Sequence, residues 1–146
     1  MEPSVTLLGP LDAVVAPYIE WLLLALAVVN VGTRVLAHRR HVAQAADGGA
    51  DAVSRFLPHE VANVLLVLAA FYYTTLHPHA GIVMSVLVLG VFVSDFFEFE
   101  SRRVEARRDI GLERPKAGIA ASGLVLLYAG YHTVFSLIKP FWTAIV

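Results

Sequence analysis

The sequence contains no cysteine, which excludes several classes of site. Structural disulfides, thiolate metal centres, cysteine nucleophiles and dithiol redox chemistry all need this residue. The motifs of soluble enzymes are also missing: there is no P-loop, no Rossmann glycine fingerprint, no nucleophile elbow and no HExxH pair. The arginines are not interleaved with aromatic residues as in proteins that stack on nucleic-acid bases. We therefore expect neither an enzyme nor a nucleic-acid-binding protein, and we predict no bound cofactor or metal.

Charged residues are scarce, at 16% of the 146 residues, whereas hydrophobic residues make up 58%. The mean hydropathy is +0.69. A soluble domain of this length does not normally carry so much apolar surface, so the excess requires lipid. The composition predicts an all-α polytopic membrane protein, a single transmembrane domain over residues 1–146 with four helices in a compact bundle.

Four apolar runs are long enough to cross a bilayer, which takes about 20 residues in a helix. They cover about residues 18–37, 58–76, 81–98 and 117–139, joined by polar connections at 38–57 and 99–116. Only the short His77-Pro78-His79 link joins the second and third runs, so these two should form a tight hairpin. Pro140 follows the fourth run and predicts the end of its helix.

The connection after the third run begins in a dense block of charge. Residues 95–116 contain six acidic and six basic side chains. Glu98 and Arg102 are spaced i,i+4 and Glu100 and Arg103 i,i+3, which predicts that the third helix extends two or three turns into the cytoplasm. The even balance of charge argues against a polybasic lipid-binding segment. A docking surface for a cytoplasmic partner is the alternative to a solvated helix extension.

Lysine and arginine are distributed unevenly between the two sides. The two long connections, together with Arg34, hold ten of the eleven such residues, and Lys139 is on the opposite side. Because positive residues are retained in the cytoplasm, we predict a multi-pass protein of the cell membrane with both termini outside.

Four polar residues should lie inside the bilayer near the cytoplasmic boundary: Asn30, Arg34, Asn63 and Asp95. Counting the rise of each helix places Arg34 and Asp95 about 4–5 Å inside the boundary, so the two should be able to pair. Asn63 lies at about 6 Å and Asn30 at about 10 Å, which makes a network of all four geometrically possible. Such residues are costly in lipid and usually face one another or a cavity. We interpret the four as a structural clamp on the first three helices. A proton or ion relay is the alternative, and it would need a continuous path to the other side.

A second polar group lies in the outer half and includes Glu20, His77 and His79. These residues are a candidate polar or metal site, and the alternative is an ordinary set of polar residues at the membrane interface.

His132 should lie roughly 10 Å deeper than the outer end of the fourth run. Tyr128 and Ser136 are its i−4 and i+4 neighbours, which suggests an imidazole satisfied on its own helix. Contact with a haem or quinone completed by another subunit is the alternative.

Small residues form seams where helices can approach closely. One seam lies on the fourth run and comprises Ala120, Gly123, Leu127 and Gly130. Another lies on the third run and comprises Gly90 and Ser94. They can serve the internal bundle, a homo-oligomer or a larger complex.

The run PHEVANVLLVLAAFYYTTLHPHAG, residues 58–81, resembles an uncharacterised haloarchaeal family of four-span integral membrane proteins. The alanine-, valine- and leucine-rich spans and the acidic and arginine-rich connections are similar as well. The resemblance implies the membrane fold and assigns no activity or functional residue.

These observations favour a non-enzymatic accessory, assembly or scaffolding subunit whose partners are the bilayer and either other membrane subunits or further copies of itself. A small proton- or ion-coupled transporter that uses Glu20, or Arg34 with Asp95, is the first alternative. A haem- or quinone-associated subunit of a redox complex is the second.

Overall fold

A computed structural model describes residues 8–146 and is built from helices. They are α1 (Gly9–Val15), α2 (Ile19–Gly48), α3 (Leu57–Leu76), α4 (Pro78–Arg107) and α5 (Lys116–Ile145). Short 3₁₀ turns follow α1 and α2. No strand occurs within residues 8–146, and four helices are long and apolar enough to span a membrane. The predicted all-α bundle is thereby confirmed.

The four long helices form a closed ring of contacts. α2 packs against α3 and α5, and α4 packs against the same two helices. Their facing sides supply a hydrophobic core that includes Leu23, Leu66, Met84, Val88 and Val125. Large apolar side chains also cover the outside of the bundle, where water would be an unfavourable solvent for them. The chain is therefore a multi-pass membrane protein whose outer surface contacts lipid.

Two helices continue beyond the apolar runs that predicted them. α2 proceeds through the first polar connection to Gly48, where Gly49 adopts a φ of +70° that favours glycine. α4 continues to Arg107, and the chain then turns at Asp109, a non-glycine residue with a φ of +53°. The Ile110 N–H donates to the Glu105 carbonyl, which satisfies one of the free carbonyls at this helix end.

The expectation that Pro140 ends the last helix is wrong. α5 passes through Pro140 and ends at Ile145. Proline removes one helical hydrogen bond and crowds the preceding turn, but its fixed φ remains compatible with a helix. The Thr143 hydroxyl supplements this turn by donating to the carbonyls of Lys139 and Pro140.

The two ends of the bundle differ. The basic end contains the α2–α3 and α4–α5 connections, and the turn end contains the α3–α4 link at His77. Near the basic end a layer of buried polar residues crosses the bundle, and beyond it Val53, Phe99 and Ala106 form a small second core. The main hydrophobic core separates that polar layer from a cavity at the turn end.

Candidate functional site

Asp95 lies at the centre of the polar layer. Arg34 binds its carboxylate with two nitrogens, Nη2 to Oδ2 at 2.7 Å and Nε to Oδ1 at 3.1 Å. The Arg34 and Asp95 side chains are only 3% and 10% exposed. Two-pronged contact between guanidinium and carboxylate is strong and directional, which suits a pair withdrawn from water. The ion pair joins α2 to α4.

α3 contributes two further contacts to the same carboxylate. His59 Nε2 lies 2.9 Å from Asp95 Oδ2, and Asn63 Nδ2 donates to it over 3.0 Å. His59 and Asn63 are one helical turn apart, so both side chains point to one face of α3. Three helices therefore meet at a single carboxylate.

A second set of contacts links α2 to α3. Asn30 Nδ2 donates to Asn63 Oδ1, and Thr33 Oγ1 lies 2.8 Å from His59 Nδ1. Thr33 also donates to the Asn30 carbonyl. We refer to Asn30, Thr33, Arg34, His59, Asn63 and Asp95 as the polar clamp. The four residues predicted from sequence are brought together here, and the structure adds Thr33 and His59.

α5 reaches the polar clamp through a glycine. The Gly118 N–H donates to Glu98 Oε1 over 2.9 Å. A Cβ atom at position 118 would lie 2.9 Å from both Arg34 Nε and Asp95 Oδ1, which is too close for van der Waals contact. Gly118 thus allows the backbone of α5 to cover the ion pair directly.

Outside the apolar segments, α2 and α4 are joined again by His41 and Arg102. Burial, reinforced by the charge of Arg102, lowers the pKa of His41 to about 4. The ring is therefore neutral near pH 7. Arg102 Nη1 donates to His41 Nδ1 over 3.1 Å, so Nε2 carries the proton and donates to the Ser54 carbonyl over 2.9 Å. Sequence reasoning missed this contact, although His41 lies two helical turns beyond Arg34 on the same face.

The second candidate region is a cavity of about 380 Å³ at the turn end. Glu20, Tyr73, His77, His132 and Lys139 are among the residues that line it. Glu20 Oε1 lies 3.9 Å from His77 Nε2, and the Tyr73 ring contacts the rings of both His77 and His132. The cavity therefore collects most of the polar residues predicted in the outer half.

His132 differs from its predicted surroundings. The Tyr128 ring packs edge-on against it at 4.6 Å, but its buried Nε2 has no hydrogen-bond partner within residues 8–146. Ser136 donates instead to the Thr133 carbonyl. Tyr128 and Ser136 lie on the same helix face as His132, and the Tyr128 ring contacts it, but neither residue forms a hydrogen bond with its Nε2.

The predicted Glu20, His77 and His79 set is only partly assembled. His79 is exposed and is not among the residues that line the cavity. In the part of the chain that the structure describes, no three His, Cys, Asp or Glu side chains are grouped as a metal site requires.

Apolar packing separates the two polar regions. Along α2, Glu20 and Asn30 are ten residues apart, or about 15 Å. Between these levels the buried residues of the bundle include Leu23, Ala27, Val88 and Val125.

A family model described as a domain of unknown function, DUF7313, matches residues 2–146. No curated protein and no solved structure matches the chain.

Proposed function

We propose that this chain, which belongs to the family described as a domain of unknown function (DUF7313), is a non-enzymatic accessory, assembly or scaffolding subunit of a membrane complex. The observation that carries the proposal is the outward position of the small-residue seam on α5. Ala120 is exposed, and Leu127 is 73% exposed. A Cβ atom built at Gly123 or Gly130 would meet no heavy atom within 4 Å.

Small residues are useful in membranes because they let two helices approach closely. Inside this bundle Gly118 has that role, whereas the seam on α5 is exposed at Ala120 and Leu127 and half-buried at Gly123 and Gly130. Gly90 on α4 is likewise exposed with free space at its Cβ position. These surfaces support lateral contact with another membrane helix, in a second copy or in a different subunit.

The polar clamp supports a structural role for the bundle itself. Its contacts tie α2, α3 and α4 together near one membrane boundary, and Gly118 adds α5. A proton- or ion-coupled transporter would need polar groups between the clamp and the turn-end cavity. The apolar packing over about 15 Å between Asn30 and Glu20 offers that alternative no support.

Association through the α5 seam can be tested without disturbing the interior. We expect wild-type protein in mild detergent to be recovered as a homo-oligomer or with stoichiometric partners. Ala120→Leu combined with Gly130→Leu should reduce that association at least about tenfold, because the bulky side chains hold the neighbouring helix away. Crosslinking in native membranes, followed by identification of the products, provides the measurement.

Gly32→Leu is the matched control, since Gly32 is exposed on α2 and its Cβ position is also free. This variant should associate as the wild type does. Recovery of wild-type protein as an isolated monomer, or equal losses in seam variant and control, would count against the proposal.

The turn-end cavity favours a second candidate function, that of a haem- or quinone-associated subunit of a redox complex. Its basis is the buried Nε2 of His132, which has no hydrogen-bond partner among residues 8–146 and lies beside a cavity of about 380 Å³. An absorption spectrum of the purified protein before and after dithionite tests for haem, and extraction with organic solvent tests for quinone. Absence of both compounds would exclude this function.

A further inference from the structure

We propose that a groove between α2 and α5 at the basic end binds one anionic membrane lipid, with its phosphate at the arginines and an apolar chain along the helices. The groove has a volume of about 500 Å³. Arg34, Arg39 and Arg114 line its polar part, and Val31, Ile119 and Leu126 line its apolar part. This site is separate from the turn-end cavity and does not depend on the function proposed above.

The polar part of the groove has uncompensated positive charge. Arg39 and Arg114 are exposed, and neither forms an ion pair within residues 8–146. The residues that line the groove include no aspartate or glutamate. Arginine is well suited to phosphate because its planar group offers several donors.

Arg34 supplies the more specific indication of a ligand. Arg34 is only 3% exposed, and its Nε and Nη2 both bind Asp95. The remaining nitrogen, Nη1, is buried and has no hydrogen-bond partner among the described residues. A buried donor without a partner is costly. His38 Nδ1, which belongs to another residue lining the groove, is also buried and unpartnered. A phosphate oxygen would satisfy the free arginine donor.

The apolar part distinguishes a lipid from a free phosphate ion. Val31 lies eight residues before Arg39 on α2, so it is about 12 Å deeper in the bilayer. On α5, Ile119 and Leu126 follow Arg114 toward the same depth. Charge at the membrane boundary and apolar surface beneath it match the headgroup and the acyl chain of a phospholipid. An inorganic anion would make no favourable contact with the apolar part.

The test uses full-length protein in nanodiscs and native mass spectrometry. We expect one phosphatidylglycerol to remain bound and phosphatidylcholine to bind at least tenfold more weakly. Arg39→Gln combined with Arg114→Gln should weaken phosphatidylglycerol binding about 25-fold, because each arginine near an anionic headgroup contributes about fivefold. Both side chains are exposed, so the variant should fold.

Arg107→Gln combined with Arg108→Gln is the matched control, because it removes the same charge from two exposed arginines that lie outside the groove. Its affinity should stay within about twofold of wild type, since neither arginine lines the groove and exposed charges are screened by salt. Ile119→Trp tests the apolar part and should weaken the binding of long-chain phosphatidylglycerol, because the larger ring fills the space of the acyl chain. Equal losses in control and groove variants would overturn the proposal, as would equal binding of both lipids. Displacement by millimolar phosphate alone would show an anion site and would also overturn it. Recovery of a bound peptide in place of lipid would do the same.

Discussion

Asp95 is the residue on which most of the polar clamp depends. Its carboxylate accepts contacts from Arg34 and Asn63 and lies against His59. Burying an ion pair costs desolvation that the mutual attraction only partly offsets, so the pair need not add much net stability. Removing one partner alone is strongly destabilising, because the other charge remains buried without compensation. We therefore expect the pair to act mainly by making alternative arrangements of the helices unfavourable.

Asp95→Asn should lower the free energy of unfolding by about 3–5 kcal/mol, since Arg34 is left as an unpaired buried charge. Reversible unfolding in mixed micelles, followed by circular dichroism, measures the effect. Asp51→Asn is the control, as Asp51 is exposed in the α2–α3 connection and should change stability by less than about 0.5 kcal/mol. The double variant Arg34→Met, Asp95→Leu should recover much of the loss. If Asp95→Asn unfolds like wild type, the ion pair has no structural role.

At the scale of elements, two pairs of helices approach closely at glycine residues. Gly118 brings α5 against the polar clamp, and Gly81 brings the first turn of α4 against the backbone of Thr74 on α3. A methyl group at either position would occupy space already filled. The other glycines of α4 and α5 have free space at their Cβ positions. Close helix approach thus depends on two glycines among several that look alike in the sequence.

Gly118→Ala should therefore destabilise the bundle by about 1–3 kcal/mol, the usual cost of overfilling a packed interior. Gly123→Ala is the control on the same helix. It should be neutral or stabilising by up to about 1 kcal/mol, because alanine favours a helix and its methyl group meets nothing within 4 Å. The same unfolding assay serves both variants. A similar response from the two would show that α5 is free to move away from Arg34 and Asp95.

Depth along the helices was predictable from sequence, whereas rotation about their axes was not. The rise per residue placed Arg34 and Asp95 at one depth, Asn63 slightly deeper and Asn30 about 5 Å deeper, and the structure links all four by hydrogen bonds. His59 was overlooked because a histidine near the start of a membrane helix is equally compatible with an exposed position at the membrane–water interface. Gly118 carried no signal, since a glycine's role depends on the helix opposite it. Likewise, the polar sequence after Ala37 suggested a connection, yet α2 continues to Gly48, and its His41 contacts Ser54 in the α2–α3 connection and Arg102 on α4.

At the scale of the whole molecule, the distribution of arginine and lysine divides the bundle into two unlike ends. The basic end carries Arg39, Arg55 and Arg114 and the extended part of α4. The turn end carries Lys139 and the histidines of the α3–α4 link. Moving the basic end across a membrane would require the transfer of many charges, which favours its retention in the cytoplasm.

The absence of cysteine makes this orientation directly testable. We expect His79→Cys, at the exposed turn end, to react in intact cells with a maleimide that does not cross membranes. Asp51→Cys, exposed at the basic end, should react only after the cells are opened. Cysteine-free wild-type protein measures background labelling. The reverse pattern would place both termini in the cytoplasm.

The unequal lengths of the helices have a consequence for the surrounding bilayer. α2, α4 and α5 have 30 residues each, but α3 has 20 and spans about 30 Å. Pro78 opposes the extension of α3 at one end, because α4 begins directly after His77. At the other end the backbone of Phe56 is extended, and Arg55 lies 4.4 Å from the centre of the Phe99 ring. In a thicker membrane the longer helices would still span the hydrocarbon core, and in a thinner one they could tilt. In a thicker membrane α3 would have to draw the lipids inward. We therefore expect α3 to set the hydrophobic thickness that the protein matches, and mismatch energy to concentrate the protein in membranes of about 30 Å.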